Sequence, residues 1–254
     1  MIIGRHARIF RLIGLYLVLC LQNLMAADDL PSVLDLQRSY VEANGGLSNI
    51  QELSSLIASG QIEDLEGGSH EFKLFRKRPD KMRIQVTLPG AKQMTIFDGE
   101  QAFRVVSVRG APDQIVEISA SETSQISADS AMDGPFFQLR GRPEWLEVVA
   151  VVDVDGEPAY EIVVSESANS PYERLWVSQE HHQEVKLSRR IELEDGQTSL
   201  QEIYFSDFEK IRGIWLAKQI RYENDGQIVQ VVAIERVRSN VGIFDSYFAK
   251  PENR

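Results

Sequence analysis

From residue 55 onward, apolar and polar residues alternate along the sequence, and short turn sequences separate the alternating runs. The run MRIQVTL, residues 82–88, is apolar at every second position, which is typical of a strand with one buried face. Asp-Gly pairs lie between such runs, and Asp-Gly accommodates the positive φ angles of tight hairpins. The four pairs are Asp98-Gly99, Asp155-Gly156, Asp195-Gly196 and Asp225-Gly226. Together these features predict an antiparallel meander.

The number of alternating runs indicates one large curved sheet rather than a small domain. Counted along the chain, they give about ten or eleven strands. No internal repeat and no low-complexity stretch interrupts them. The runs beyond the first hairpins are QAFRVVSV, EVVAVVDV, AYEIVVS, RLWVSQ, VKLSRRIEL, SLQEIYF, GIWLAKQIRY and QIVQVVAIERV.

An amphipathic helix is predicted ahead of the strands. In LPSVLDLQRSYVEANGG, residues 30–46, apolar residues recur at helical spacing. Pro31 lies at the start and Gly45-Gly46 at the end, where proline and glycine are favoured. A short second helical turn, LSNIQEL, leads into the first strand. One helix before an antiparallel sheet indicates an α+β protein.

Residues 118–145 interrupt the meander. The first half of this interval is polar and weakly helical, and the second half carries Phe136, Phe137 and Leu139. Long connections in compact β domains are commonly lids or binding segments. Two interpretations remain open: a movable lid containing these three residues, or a helix that only plugs the sheet.

The N-terminus has the three-part pattern of a secretory signal peptide. Three arginines precede the apolar run 12–21, and the small residues Ala26 and Ala27 follow it. We expect a signal peptide over 1–27, cleaved near Ala26 or Ala27, and a single domain over 28–254. The alternative is an uncleaved anchor, although the run is shorter than the ~20 residues of a spanning helix.

Charge and cysteine content exclude several classes of function. The formal net charge is −11, and loss of the three signal-peptide arginines lowers it to −14. So acidic a chain is a poor candidate for nucleic-acid binding. The single cysteine, Cys20, leaves with the signal peptide, so the mature chain has no disulfide and relies on its core.

No catalytic or metal-binding motif is evident. After the signal peptide the chain has three histidines, His70, His181 and His182, and its carboxylates are scattered over turns and strand faces. Adjacent histidines in an extended segment point to opposite sides, and zinc recruits more ligands than this neighbourhood offers. We therefore expect no enzyme activity, no metal and no cofactor.

A basic cluster stands out in this acidic chain. The stretch FRKRPDKMRIQVTLPG, residues 75–90, places five cations around Pro79. Two alternating runs flank Pro79-Asp80, so the cluster lies at a hairpin turn on the rim of the sheet. The cations are either a solvated rim that discourages edge pairing or a cationic mouth beside an apolar cavity. In the second case, Arg76 and Arg78 lie at the mouth, in phase with Phe72 and Leu74.

The apolar residues of the first hairpins are the candidate ligand contacts. A sheet this wide needs its inner face covered by helices alone or by helices and ligand. Each residue is therefore either plain core or part of a cavity wall. The candidates are Phe72, Leu74, Met82, Ile84, Val86, Met94, Ile96 and Phe103.

Arg189 breaks the pattern of its strand. In VKLSRRIEL, strict alternation places it on the apolar face with Leu187 and Ile191. A buried unpaired charge is too costly to retain, so the guanidinium needs a carboxylate, a backbone carbonyl or a ligand headgroup. The alternative is a β-bulge that turns Arg189 outward.

The run KRPDKMRIQVTLPGAKQMTIFDGEQAFRV resembles the signature hairpins of the periplasmic lipoprotein-localisation carriers (LolA/LolB-like). The shared pattern is Arg-Pro, a turn, an alternating strand, then Asp-Gly and an aromatic residue on the next strand. Two further stretches resemble the family in the same order: DGPFFQL, and the ending IERVRSNVGIFDSYFAKP. The resemblance thus spans most of the chain after the signal peptide.

This resemblance implies a single half-open antiparallel β-barrel whose concave face is covered by helices. The enclosed apolar cavity would shelter the acyl chains of a lipid or lipoprotein in transit. The implied function is a monomeric periplasmic carrier in outer-membrane lipoprotein sorting, with a membrane donor complex and an outer-membrane acceptor as partners. The alternative is a non-carrier interaction or signalling domain of the same fold, its cavity filled by its own side chains, that senses the state of the envelope.

Overall fold

The computed structural model describes residues 30–65, 67–193 and 196–250. The predicted signal peptide, 1–27, and its cleavage position lie outside the described residues. Within the described residues, no helix is long and apolar enough to cross a membrane.

All strands of the described chain belong to one antiparallel sheet. The sheet has 13 strands in the order β6-β5-β4-β3-β2-β1-β13-β12-β11-β10-β9-β8-β7. The strands are β1 (Ser55–Asp64), β2 (Ser69–Lys77), β3 (Lys81–Leu88), β4 (Ala91–Phe97), β5 (Ala102–Val108), β6 (Gln114–Glu117), β7 (Leu146–Val154), β8 (Glu157–Val164), β9 (Tyr172–Ser178), β10 (Glu184–Glu192), β11 (Thr198–Ile211), β12 (Ile214–Asn224) and β13 (Gln227–Ser239).

The sheet consists of two meanders joined at one pair of strands. Strands β1–β6 form the first meander and β7–β13 the second, and β1 pairs with β13. Strands β6 and β7 are the two edges, so the barrel is half-open, and the predicted α+β fold is confirmed. The sheet exceeds the ten or eleven strands expected, partly because the four-residue edge strand β6 has too short an alternation to detect.

Two of the four predicted Asp-Gly turns have positive φ at both residues, whereas at Asp98-Gly99 only the glycine does and Asp195 lies outside the described residues. Asp155 and Gly156 have φ angles of 52° and 90°, and Asp225 and Gly226 have φ angles of 48° and 78°. Positive φ at both central residues matches the twist of the flanking strands.

Helix α1 (Val33–Ala43) forms where it was predicted. The Ser32 side chain caps its first turn by accepting the backbone N–H of Asp35. Leu36 is buried against the sheet, and the Tyr40 ring packs edge-on against Phe136 at 5.9 Å. Helix α2 (Leu47–Glu52) follows, as expected.

The interval between β6 and β7 crosses the open side of the barrel. It contains α3 (Ala120–Ser130) and α4 (Pro135–Gln138), followed by two 3₁₀ turns, Leu139–Gly141 and Pro143–Trp145. We call residues 120–138 the covering segment. Because it starts after one edge strand and ends before the other, it spans the concave face of the sheet.

The residues after β13, 240–250, cover part of the outer face of the sheet, and we call them the C-terminal segment. Their position corrects the prediction for three of the candidate ligand contacts. Phe248, in the 3₁₀ helix Asp245–Phe248, is fully buried against Ile96 and Val105. The expectation that Met94, Ile96 and Phe103 line the cavity is wrong, because the β3–β4 and β4–β5 registers place all three on this outer face.

A second apolar face explains the error. Met82 lies opposite Phe97 in the β3–β4 pair, so the cavity face of β4 carries the odd-numbered residues. The even-numbered Met94 and Ile96 are apolar because the C-terminal segment packs on them. Apolar alternation marks a buried face but does not say what buries it.

Candidate ligand cavity

A cavity of about 220 Å³ lies between the concave face of the sheet and the covering segment. Strands of both meanders supply its floor, and Tyr40 of α1 lies at its side. The floor is mostly apolar, which suits hydrocarbon rather than a polar metabolite. Its apolar side chains include Leu56, Ala58, Leu74, Leu187, Ile220 and Ile234.

Residues 128–135, in the second half of the covering segment, form the roof of the cavity. The predicted lid residues have a different place. Phe136 and Phe137 are buried in the core against Tyr40, and Leu139 packs against the same cluster. These three side chains anchor the end of the segment. The part that faces the cavity is the stretch before them, in which Asp129 and Asp133 alternate with small or apolar residues.

The remaining predicted contacts lie on the concave face, and one of them lines the cavity. Leu74 is in the wall. Phe72, Ile84 and Val86 form the adjoining apolar cluster, and Met82 lies under α3 against Ile126. The cavity therefore extends over the second meander more than the first, which the sequence did not indicate.

Arg189 points inward, as its phase in the strand predicted. Its side chain is 5% exposed, and Nη1 and Nη2 donate to the two oxygens of Asp129 at 2.9 and 3.1 Å. Nε donates to Gln201 at 3.0 Å, and the hydroxyl of Tyr172 donates to Asp129 at 2.6 Å. The register does shift between Ser188 and Arg189, but Arg189 stays buried.

Arg78 holds the roof at a second point. Its guanidinium forms two hydrogen bonds with Asp133, at 2.6 and 2.7 Å. It also donates to the carbonyl oxygens of Leu53 and Ile50 at 2.6 and 2.8 Å. Arg78 therefore ties the roof to α2 and to the connection that follows it.

Arg76 lines the cavity without a counter-ion. Nη1 donates to the carbonyl oxygen of Ala131 at 3.3 Å, while Nε is shielded from solvent and has no hydrogen-bond partner among the described residues. Burial lowers the pKa of Arg76, and the charge of Asp129 partly offsets this effect. Asp129 itself is held by Arg189, so the guanidinium of Arg76 keeps unused donors.

Glu184, at the start of β10, supports the far end of the roof. Its Oε1 accepts the backbone N–H of Phe136 at 2.6 Å. A Cβ on Gly134 would lie 1.4 Å from Oε2, so only glycine allows this close approach. Burial raises the pKa of Glu184 to about 7, against the hydrogen bond from Phe136, and the charge of Asp133 adds to the rise.

The other cations of the basic cluster face the C-terminal segment. Lys77 and Lys81 lie 2.8 and 3.3 Å from Asp245, and Arg83 stacks 4.4 Å from the ring centre of Tyr247. The interpretation as a solvated rim is therefore wrong, since the cluster divides between the roof inside and the C-terminal segment outside.

The histidines do not come together with other metal ligands. Among the described residues, no group of three or more His, Cys, Asp or Glu side chains is placed to hold a metal ion. His70 lies 3.0 Å from Asp64, and the ring of His181 is 6.1 Å from that of Trp215.

The sequence reasoning missed Asp129, Asp133 and Glu184. One signal was available for the first two, because a cation in the apolar phase of a strand requires a carboxylate. The polar interval 118–145 holds Asp129 and Asp133, and its packing partner was not predicted, so it was the place to look for these carboxylates. Nothing in the sequence distinguished Glu184 from the exposed glutamates around it.

The fold is shared with a solved structure of low sequence identity. No protein-family model matches the sequence, and no curated protein matches it. A domain described as an outer membrane lipoprotein-sorting protein domain, from Vibrio parahaemolyticus, superposes with a TM-score of 0.53 at 12% identity. The match covers 85% of this chain and 95% of that domain. A LolA superfamily protein from Nitrosomonas europaea matches at a TM-score of 0.48 and 14% identity, over 84% and 97% of the two chains.

The protein is a half-open antiparallel β-barrel with a helical cover over an apolar cavity. It has the fold of the lipoprotein-sorting domain from Vibrio parahaemolyticus, and the half-open barrel that the resemblance implied is confirmed.

Proposed function

We propose that the protein is a periplasmic carrier of acylated ligands, a lipid or lipoprotein, in outer-membrane lipoprotein sorting. It works without enzymatic chemistry, as a monomer that receives its cargo from a membrane donor and passes it to an outer-membrane acceptor. The single observation that carries the proposal is the apolar cavity under the covering segment. An open cavity of this kind favours a carrier over the alternative, an interaction domain whose own side chains fill the space.

The attachment of the roof supports a movable lid. Polar contacts fasten it, chiefly Arg78–Asp133, Arg189–Asp129 and the bond from Phe136 to Glu184. Within α3, Ile126 is the buried apolar side chain. Segments with few buried apolar contacts open at low cost in free energy.

Transfer follows from differential affinity. Burial of each methylene group contributes about 0.8 kcal/mol, so an acyl chain is held firmly while the lid is closed. When the lid opens, an acceptor with a more favourable cavity takes the chain, since a ligand shifts to the state that binds it better.

The test is uptake of a dipalmitoylated peptide, compared with the same peptide without acyl chains. Trp215 is one of the residues that line the cavity, so a fluorescence change on binding that is lost in Trp215→Phe reports occupancy. The wild-type protein should bind the acylated peptide and ignore the plain one.

A matched pair of variants locates the binding. Ala217 lines the cavity, and Ala233 lies exposed on the neighbouring strand. Ala217→Phe should weaken binding by about tenfold or more, because the ring displaces several methylene groups. Ala233→Phe should bind like the wild type. Equal effects of both substitutions, or no binding by the wild type, would refute the proposal.

A further inference from the structure

The charged groups that line the cavity are not all paired with one another. Four of them are Arg76, Asp129, Asp133 and Glu184. Asp129 is paired with Arg189 and Asp133 with Arg78. Arg76 has no salt bridge among the described residues. Among the described residues, the cavity therefore presents one guanidinium that forms no salt bridge, in a protein whose overall charge is strongly negative.

Glu184 does not neutralise this cation. The carboxylate accepts its hydrogen bond from Phe136, and the charge that acts on it is that of Asp133. The charges and dipoles that act on Arg76 are instead those of Asp129, Tyr222 and Tyr172. The two groups contact different residues of the roof, since Arg76 donates to the carbonyl oxygen of Ala131 and Glu184 accepts from the N–H of Phe136.

The surroundings of Arg76 fit the polar end of an amphiphile. Its strand neighbours across the sheet are Leu56 and Met82, and Leu74 precedes it on the cavity face. A guanidinium with free donors beside hydrocarbon binds a carboxylate through short, charge-assisted hydrogen bonds. The hydrocarbon tail can then lie along the apolar floor toward Ile220 and Ile234.

We propose that Arg76 is a headgroup site inside the cavity, and that it selects single-chain amphiphiles with a free carboxylate, such as a fatty acid. This inference rests on the proposed burial of acyl chains and adds the chemistry of the headgroup. A headgroup bound at Arg76 lies within the cavity rather than outside it. The ligands that Arg76 selects are therefore free carboxylic acids, in addition to acyl chains that are attached to a protein.

The experiment compares laurate with methyl laurate at pH 8 by calorimetry. The two probes have the same chain and differ in the charge of the headgroup. The wild-type protein should bind laurate about tenfold more tightly or better, since hydrogen bonds between charged groups contribute 1.5–3 kcal/mol, roughly a factor of ten or more.

Two substitutions separate the site from its surroundings. Arg76→Gln should abolish the preference for laurate over methyl laurate and leave the binding of methyl laurate unchanged. Arg76→Lys should keep part of the preference. Arg83→Gln, which removes a cation of the same cluster from the outer face, should behave like the wild type. Because Arg76 is a partly buried cation that forms no salt bridge with another described residue, its removal should not lower the melting temperature. If Arg76→Gln fails to fold, Arg76→Met provides the same comparison.

The outcomes distinguish this inference from the carrier proposal. Equal binding of both probes by the wild type overturns the headgroup site and leaves acyl burial standing. If Arg76→Gln weakens the binding of laurate and of methyl laurate equally, the headgroup site is also overturned. If the wild type binds neither probe and no acylated peptide, both proposals fail.

Discussion

At the scale of single residues, ionised side chains rather than apolar contacts determine how the roof is held. Asp129 accepts hydrogen bonds from Arg189 of β10, and Asp133 accepts them from Arg78 in the β2–β3 turn. Glu184 accepts a backbone N–H of the roof. Buried pairs of this kind add little stability over apolar packing, but loss of one partner is costly. These contacts therefore fix the position of the roof, and its stability depends on the charges of the three side chains.

Glu184→Gln should stabilise the protein at alkaline pH. Burial raises the pKa of Glu184 to about 7 in the folded state, from about 4.5 in the unfolded state. The folded state thus binds more protons between these values, and stability falls as pH rises from 4.5 to 7. At pH 8 the variant should be more stable by about 2–3 kcal/mol, and at pH 4 the difference should vanish. Urea unfolding at both pH values measures this; a difference independent of pH would contradict it.

Asp129→Asn should destabilise the protein by about 3 kcal/mol, because it leaves Arg189 buried without a counter-ion. Asp35→Asn removes an exposed pair with Arg38 and should cost far less stability than Asp129→Asn, because water screens exposed pairs. Urea unfolding compares the two variants. Similar losses would mean that the Arg189 pair is solvated rather than buried.

At the scale of elements, α1 and α3 have the same length but different roles. Helix α1 packs Val33, Leu36 and Tyr40 into the core, whereas α3 contributes Ile126 and Ala128. Both helices carry a serine N-cap, Ser32 and Ser119, so their local signals are alike. The two helices therefore differ in how much apolar surface they bury, and the carrier proposal takes α3 as the movable one.

Hydrogen exchange should show this difference. Backbone amides of α3 should exchange faster than those of α1, because opening α3 exposes less apolar surface. Exchange followed by mass spectrometry on the wild-type protein compares the two helices in one experiment. Equal protection would contradict a movable lid.

The strands and α1 could be predicted from the sequence, since their signals are local: alternation, Asp-Gly turns and helix caps. The direction of each strand's apolar face could not, as Met94 and Ile96 show. Their phase is apolar because Phe248, about 150 residues away along the chain, covers them. The inward direction of Arg189 was predictable from its strand, but its partner Asp129 lies in a segment without periodicity.

Phe248→Ala should destabilise the protein by about 3–5 kcal/mol, because Phe248 is fully buried beside Ile96 and Val105. Phe244→Ala is the control, since Phe244 is 84% exposed in the same segment. Thermal unfolding monitored by circular dichroism should show a large decrease in melting temperature for Phe248→Ala and almost none for Phe244→Ala. A small effect of Phe248→Ala would mean that the C-terminal segment is loosely attached.

At the scale of the whole molecule, two meanders joined at β1 and β13 leave the barrel open between β6 and β7. The chain that links those edges is the covering segment, so the connection that leaves the barrel open also roofs its cavity. In the carrier proposal, this one connection supplies both the entrance and the lid. The carrier proposal follows from this arrangement.

The most direct test is native mass spectrometry, with lipid extraction, on mature protein purified from the periplasm. The carrier proposal predicts a co-purifying acylated species at near-stoichiometric level, which would also identify the class of cargo. A clean apo mass, with no uptake of added lipid or acylated peptide, would contradict it and favour an interaction domain.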